Sequence, residues 1–86
     1  MPQVSRFFGI SIYMYFDEHN PPHFHAIYGK DEVQIGISPL GLIEGRLSSR
    51  ALGLAMEWAA LHQKALLENW ELMREDKPPR KIPPLK

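Results

Sequence analysis

From Ser49 to Glu75 the chain contains no proline and is rich in Ala, Leu, Met, Glu and Lys, whereas proline punctuates the segments before and after. That contrast predicts one helical block following a region of turns and strands. Ser48 or Ser49 is a fitting N-cap, because a hydroxyl there accepts from a free N–H of the first turn. One apolar stripe runs Leu52, Ala55, Met56, Ala59, Leu66, Trp70 and Met73; a second runs Ala51, Leu54, Trp58, Leu61, Ala65 and Leu72. A helix of about 28 residues would be roughly 40 Å long, against a radius of gyration of ~12 Å for a compact chain of this size. It must therefore overhang its own sheet or kink, with Gly53 and His62-Gln63 as the weak points.

The first half of the chain reads as strands. Phe8, Ile10, Ile12, Met14 and Phe16 alternate with Gly9, Ser11, Tyr13 and Tyr15, which predicts a strand over 8–16. Pro21 and Pro22 interrupt it, since neither can donate to a ladder. Alternation resumes over 23–28, with Phe24, Ala26 and Tyr28 on one side and His23, His25 and Ile27 on the other. Gly29-Lys30-Asp31 predicts a turn, Val33–Ile37 a third strand, Ser38–Gly41 another turn, and 42–47 a short fourth strand. Short connections favour an antiparallel meander. The expected class is α+β: about four strands packed on one long C-terminal helix, a single domain over 1–76. Its core would come from Ile10, Ile12, Met14, Phe24, Ala26, Val33, Ile35, Leu52, Met56, Ala59 and Leu66.

Residues 77–86 form a proline-rich basic tail expected to be extended. Two apolar stripes exceed what one sheet face needs. Trp58, Trp70, Leu72, Ile82 and Leu85 are therefore candidates for binding a partner protein or a second copy. The competing expectation is that the tail folds back over the helix, with Ile82 and Leu85 as its anchors.

Composition narrows the function classes. Net charge is zero over 86 residues, and the halves divided at Leu47 carry only about −2 and +2. This is not the footprint of a non-specific nucleic-acid binder. There is no cysteine, hence neither disulfides nor thiolate metal ligands. No signal peptide or apolar run of the ~20 residues needed to cross a bilayer stands out. A cytoplasmic, non-membrane protein is the expectation.

Chemistry concentrates in Asp17-Glu18-His19-Asn20-Pro21-Pro22-His23-Phe24-His25. His23 and His25 are two apart on a predicted strand and so share a face. His19 precedes them across a proline-stiffened loop with acids beside it. Three readings fit. His19, His23 and His25 are candidate ligands of a divalent metal, with His23 and His25 as the pair and His19 or an adjacent acidic residue completing the set. The same three are candidate catalytic residues, since an imidazole pair supplies an acid and a base, as RNA cleavage requires. Around them Asp17, Asn20, Tyr13, Tyr15 and Arg50 are candidate binding residues, the tyrosines by stacking on a base and Arg50 by holding an anion. Third, the histidines serve structure or a partner alone. Converging ring nitrogens would favour a site; diverging rings would favour structure.

The run Tyr13-Met14-Tyr15-Phe16 followed by this segment and Ala26 resembles the signature of a family of small bacterial proteins of unknown function. The resemblance continues through Glu44-Gly45, Arg50-Ala51-Leu52, Glu57-Trp58, Leu61-His62, Leu66–Trp70, Lys81-Ile82 and Pro84-Leu85. Ser48 stands where similar sequences often have proline, and both suit a helix start. Such proteins are often encoded beside another small protein, in pairs resembling toxin–antitoxin modules. The resemblance therefore raises a small protein partner from an adjacent gene, and the histidine segment would suit either a nuclease-like toxin acting on nucleic acid or a metal-stabilised binding face; neither follows from the resemblance alone. It carries over no catalytic residue.

Overall fold

In the computed structural model, which describes residues 2–16 and 18–86, the alternating N-terminal run is folded in two. β1 (Gln3–Phe7) and β2 (Ile10–Tyr13) pair as an antiparallel hairpin in place of the single strand expected over 8–16. Phe8 (φ 50°) and Gly9 (φ 80°) form its two-residue loop, both in the left-handed region. Such loops match the right-handed twist of the strands, and they favour Asn-Gly over a bulky first residue. The Phe8 ring is 51% exposed, so little packing compensates for its conformation. Phe8→Asn is accordingly expected to stabilise the fold by about 0.5–1 kcal/mol. Thermal unfolding should show this as a midpoint roughly 3–6 °C higher; a lower midpoint would mean that the ring contributes contacts worth more than the strain.

β3 (His23–Tyr28), β4 (Asp31–Ile37) and β5 (Leu40–Gly45) complete a five-stranded antiparallel meander in chain order, one strand more than expected. Gly29-Lys30 is a two-residue connection, which pairs Tyr28 with Asp31, His25 with Gln34 and His23 with Gly36. Gly45 (φ 90°) ends β5 where a Cβ would collide with the Glu32 carbonyl, so only glycine fits this approach to β4.

The expected long helix is two. α1 (Ser49–Leu61) begins at Ser48, whose hydroxyl accepts from the Ala51 N–H at 3.2 Å. It ends at His62 (φ −120°, ψ 24°), and α2 (Gln63–Arg74) follows. No proline or glycine marks the break. The Gln63 amide donates to the Ile37 carbonyl at 2.6 Å, tying the start of α2 to the end of β4. The pieces, about 20 and 18 Å long, fit a molecule measuring 34 × 25 × 23 Å, where a 40 Å rod would not. Neither is long and apolar enough to cross a membrane.

The core holds nine of the eleven expected residues; Leu52 and Met56 are only partly buried against it. Val4, Phe7, Ile37, Ala51, Ala55, Trp58, Trp70, Met73 and Ile82 join them. Trp58 and Trp70 are thus interior, not the partner surface expected of them. The tail covers Trp58, while Trp70 packs against His23: Ile82 is buried, its N–H donates to the Val4 carbonyl at 2.8 Å, and the Trp58 indole donates to the Pro83 carbonyl at 2.9 Å. Buried Asn69 clamps Arg80, donating to its carbonyl at 2.9 Å and accepting from its N–H at 2.8 Å. Leu72 and Leu85 are half-buried, and Leu61 is left 68% exposed.

Candidate metal centre

Strand alternation sends His23 and His25 to one side of β3, and both are buried, at 6% and 7% exposure. Each ring is fixed through Nδ1. His23 Nδ1–H donates to the Pro21 carbonyl at 2.9 Å, so the proline loop orients that ring from two residues away. His25 Nδ1–H donates to Glu32 Oε2 at 2.8 Å, across from β4. The two Nε2 atoms then converge on one oxygen: Glu18 Oε1 lies 2.6 Å from that of His25 and 3.4 Å from that of His23. His23 Nε2 is buried with no hydrogen-bond partner among the described residues. Ligand atoms of Glu18, His23 and His25 all lie within 4.8 Å of one another.

A neutral imidazole has one N–H to offer. His25 faces carboxylates with both nitrogens, so the second contact needs a proton or a cation at Nε2. His23, whose Nδ1–H is committed to a carbonyl, likewise presents an Nε2 that a proton or cation would join to Glu18. Aromatic rings wall the cluster. Tyr15 packs edge-on to His25 (centroids 4.6 Å apart) and stacks on Tyr13 (6.1 Å), while Trp70 lies against His23 (5.3 Å). Burial, then Glu32, Tyr13 and Glu18, push the Tyr15 hydroxyl above its ordinary value of 10.0, keeping it a neutral donor at physiological pH.

Residues 9–71 match a family described as a domain of unknown function, DUF4160. The chain belongs to the DUF4160 family. Neither a curated protein nor a solved structure matches it. The DUF4160 match includes Tyr15, Glu18, His23, His25, Glu32 and Trp70, and leaves all of β1 and the tail outside.

Of the residues singled out in the sequence, the DUF4160 fold brings together His23, His25, Tyr13 and Tyr15. His19 and Asn20 are exposed. They border a cleft of about 260 Å³ that reaches Glu18, Pro21, His23 and Gln34, so His19 stands beside the cluster and is not one of its converging ligands. Asp17 lies outside the described residues. Arg50 is exposed in the first turn of α1 and does not line that cleft. The sequence reading allowed an acidic residue beside His19 to complete the set without choosing Glu18, which the structure supplies, and it did not name Glu32. Glu32 was within reach: a two-residue turn at Gly29-Lys30 puts it opposite Ile27, on the face of His25. A three-residue turn, as expected, shifts the register by one and hides it.

Proposed function

We propose that this DUF4160 domain binds a divalent transition metal through Glu18, His23 and His25. The observation that carries the reading is that both Nδ1 atoms are held by fixed acceptors while both Nε2 atoms converge on one carboxylate oxygen. Metal-ligating histidines are oriented by such outer hydrogen bonds, which set the tautomer that leaves Nε2 free to ligate. Two atoms bound tetrahedrally at ~2.0–2.1 Å sit roughly 3.3 Å apart. The 3.4 Å Glu18–His23 separation fits already, and the 2.6 Å Glu18–His25 contact must open by roughly 0.7 Å. Two imidazoles and a carboxylate suit zinc, or iron(II) and its neighbours, and leave coordination positions open.

The test is calorimetric titration of untagged, demetallated protein with Zn²⁺. One equivalent should bind. Glu18→Ala, His23→Ala and His25→Ala should each lower affinity by at least about 100-fold, Glu32→Gln by about 10–100-fold, and His19→Ala hardly at all. Circular dichroism of each variant separates loss of ligand from loss of fold. Uptake below about one tenth of an equivalent in excess Zn²⁺ would overturn the reading.

One observation favours a second reading. His25 is held between Glu32 and Glu18, an arrangement that relays a proton, so His23 and His25 would act as acid and base on a bound substrate. RNA is a substrate class that suits an imidazole pair, because its cleavage needs an acid, a base and a cation to hold the phosphate. Incubation of RNA with the protein, with and without divalent metal, decides this; intact RNA in both conditions removes it.

A further inference from the structure

The two edges of the sheet differ. The tail covers β1, through the bond from the Ile82 N–H to the Val4 carbonyl. β5 ends the sheet on the other side, and its outer backbone groups pair with no strand among the described residues. Leu42 and Ile43, consecutive on β5, are both about half exposed. A cleft of about 230 Å³ opens at this edge, walled by Pro21, Pro22, Pro39, Leu40 and Ile43. Gly41 lines it too, and a Cβ built there meets nothing within 4 Å. The ladder to β4 pairs Gly41 with Gly36 and Glu44 with Gln34, with a bulge between them, so Gly41 and Glu44 share a face. Glu44 is exposed, accepts only from the Gln34 amide at 3.3 Å, and forms no ion pair among the described residues.

We propose that β5 receives an extended segment of a partner protein as a sixth strand, with an aliphatic side chain over Gly41 and a basic residue beside Glu44. Strand addition gains affinity from main-chain bonds and selectivity from pockets that take alternate side chains. No charged group lines the cleft, which suits Leu, Ile or Met. An antiparallel segment spans Gly41 to Glu44 in two residues, as Gln34 and Gly36 do on the other side. The basic residue therefore lies two positions before the aliphatic one. A second copy of β5 does not meet both demands. Setting Arg46 of the copy beside Glu44 puts Ser48, the cap of α1, over Gly41; setting Leu42 or Ile43 of the copy over Gly41 leaves Leu40 or Gly41 beside Glu44. The edge lies apart from Glu18, His23 and His25, so the proposal stands or falls independently of the metal reading.

The probe is the peptide acetyl-Thr-Lys-Val-Leu-Val-Thr-amide, titrated into the full chain and followed by heteronuclear NMR. One-to-one binding with amide shifts centred on β5 is expected. Methylating the backbone nitrogens of alternate peptide residues should abolish binding for one set and spare the other, because an added strand bonds along one side only. Gly41→Val fills the cleft where a Cβ is unobstructed, so it should keep the unfolding midpoint and weaken binding by at least about tenfold. Glu44→Lys should weaken binding by about two- to fivefold and turn the preference toward the same peptide with Glu in place of Lys. Absence of binding, equal affinity in the wild type and Gly41→Val, or equal sensitivity to methylation of both sets would each overturn the proposal. A full chain that sediments as a dimer undisturbed by the peptide would overturn it too, giving the edge to a second copy.

Discussion

A chain ending at Asp76 is expected to unfold at least about 15 °C below the full chain, or to show no cooperative transition. Burying Ile82 alone contributes about 1.5–3 kcal/mol. Removing the tail also uncovers Trp58 and the β1 edge, and strips Asn69 and the Trp58 indole of their partners. Water replaces those hydrogen bonds, so the loss is chiefly apolar burial plus a residue of imperfectly replaced bonds, about 3–5 kcal/mol together. A domain of this size has only about 4–13 kcal/mol to lose, and each kcal/mol moves its midpoint by about 4–8 °C. Ile82→Ala should give roughly half the effect. Thermal circular dichroism checks both, and an unchanged midpoint in the truncated chain would show that residues 77–86 are an appendage, as their composition suggests.

Zinc at about one hundred times its dissociation constant should raise the unfolding midpoint by roughly 10–20 °C. Binding to the native state alone contributes about 2.7 kcal/mol at that saturation, and the conversion to temperature is the same. The shift should vanish in a His23→Ala/His25→Ala double variant and persist in His19→Ala. It should also shrink as the solution is acidified, because the metal must displace protons from its imidazole ligands. A zinc shift of the same size in the double variant would place binding elsewhere and exclude the cluster.

The strands from β2 to β4 were largely legible from apolar residues two apart, although burial itself alternates cleanly only in β2, and β5 starts two residues before its expected place. β1 was not. Its ladder slips between Gln3 and Ser5, so Val4 and Ser5 are both buried and the pattern of Gln3–Phe7 loses its period. The break falls at His62-Gln63, one of the two weak points read from the sequence, where Gln63 bonds to Ile37 once the sheet has formed; Gly53, the other, lies within α1. At the site, alternation was enough to place His23 and His25 together. Glu18 could not be placed, because it reaches them from a loop whose path no periodicity describes. The chain thus showed where the chemistry-bearing rings lie and hid the carboxylates that pair with them.

The tail's grip on β1 gives folding an order in time. The carbonyls of Gln3 and Val4 accept from Lys81 and Ile82, and Gln3 and Lys81 stand 78 positions apart. The outer strand is synthesised well before its cover. Until that cover arrives, β1 presents open carbonyls and the apolar Val4 and Phe7, the features by which an edge strand recruits a strand from another molecule. A protease cut between Lys77 and Lys81 would reopen the same edge in a finished protein. The molecule's most aggregation-prone moments therefore fall at both ends of its life, before the tail docks and after it is clipped.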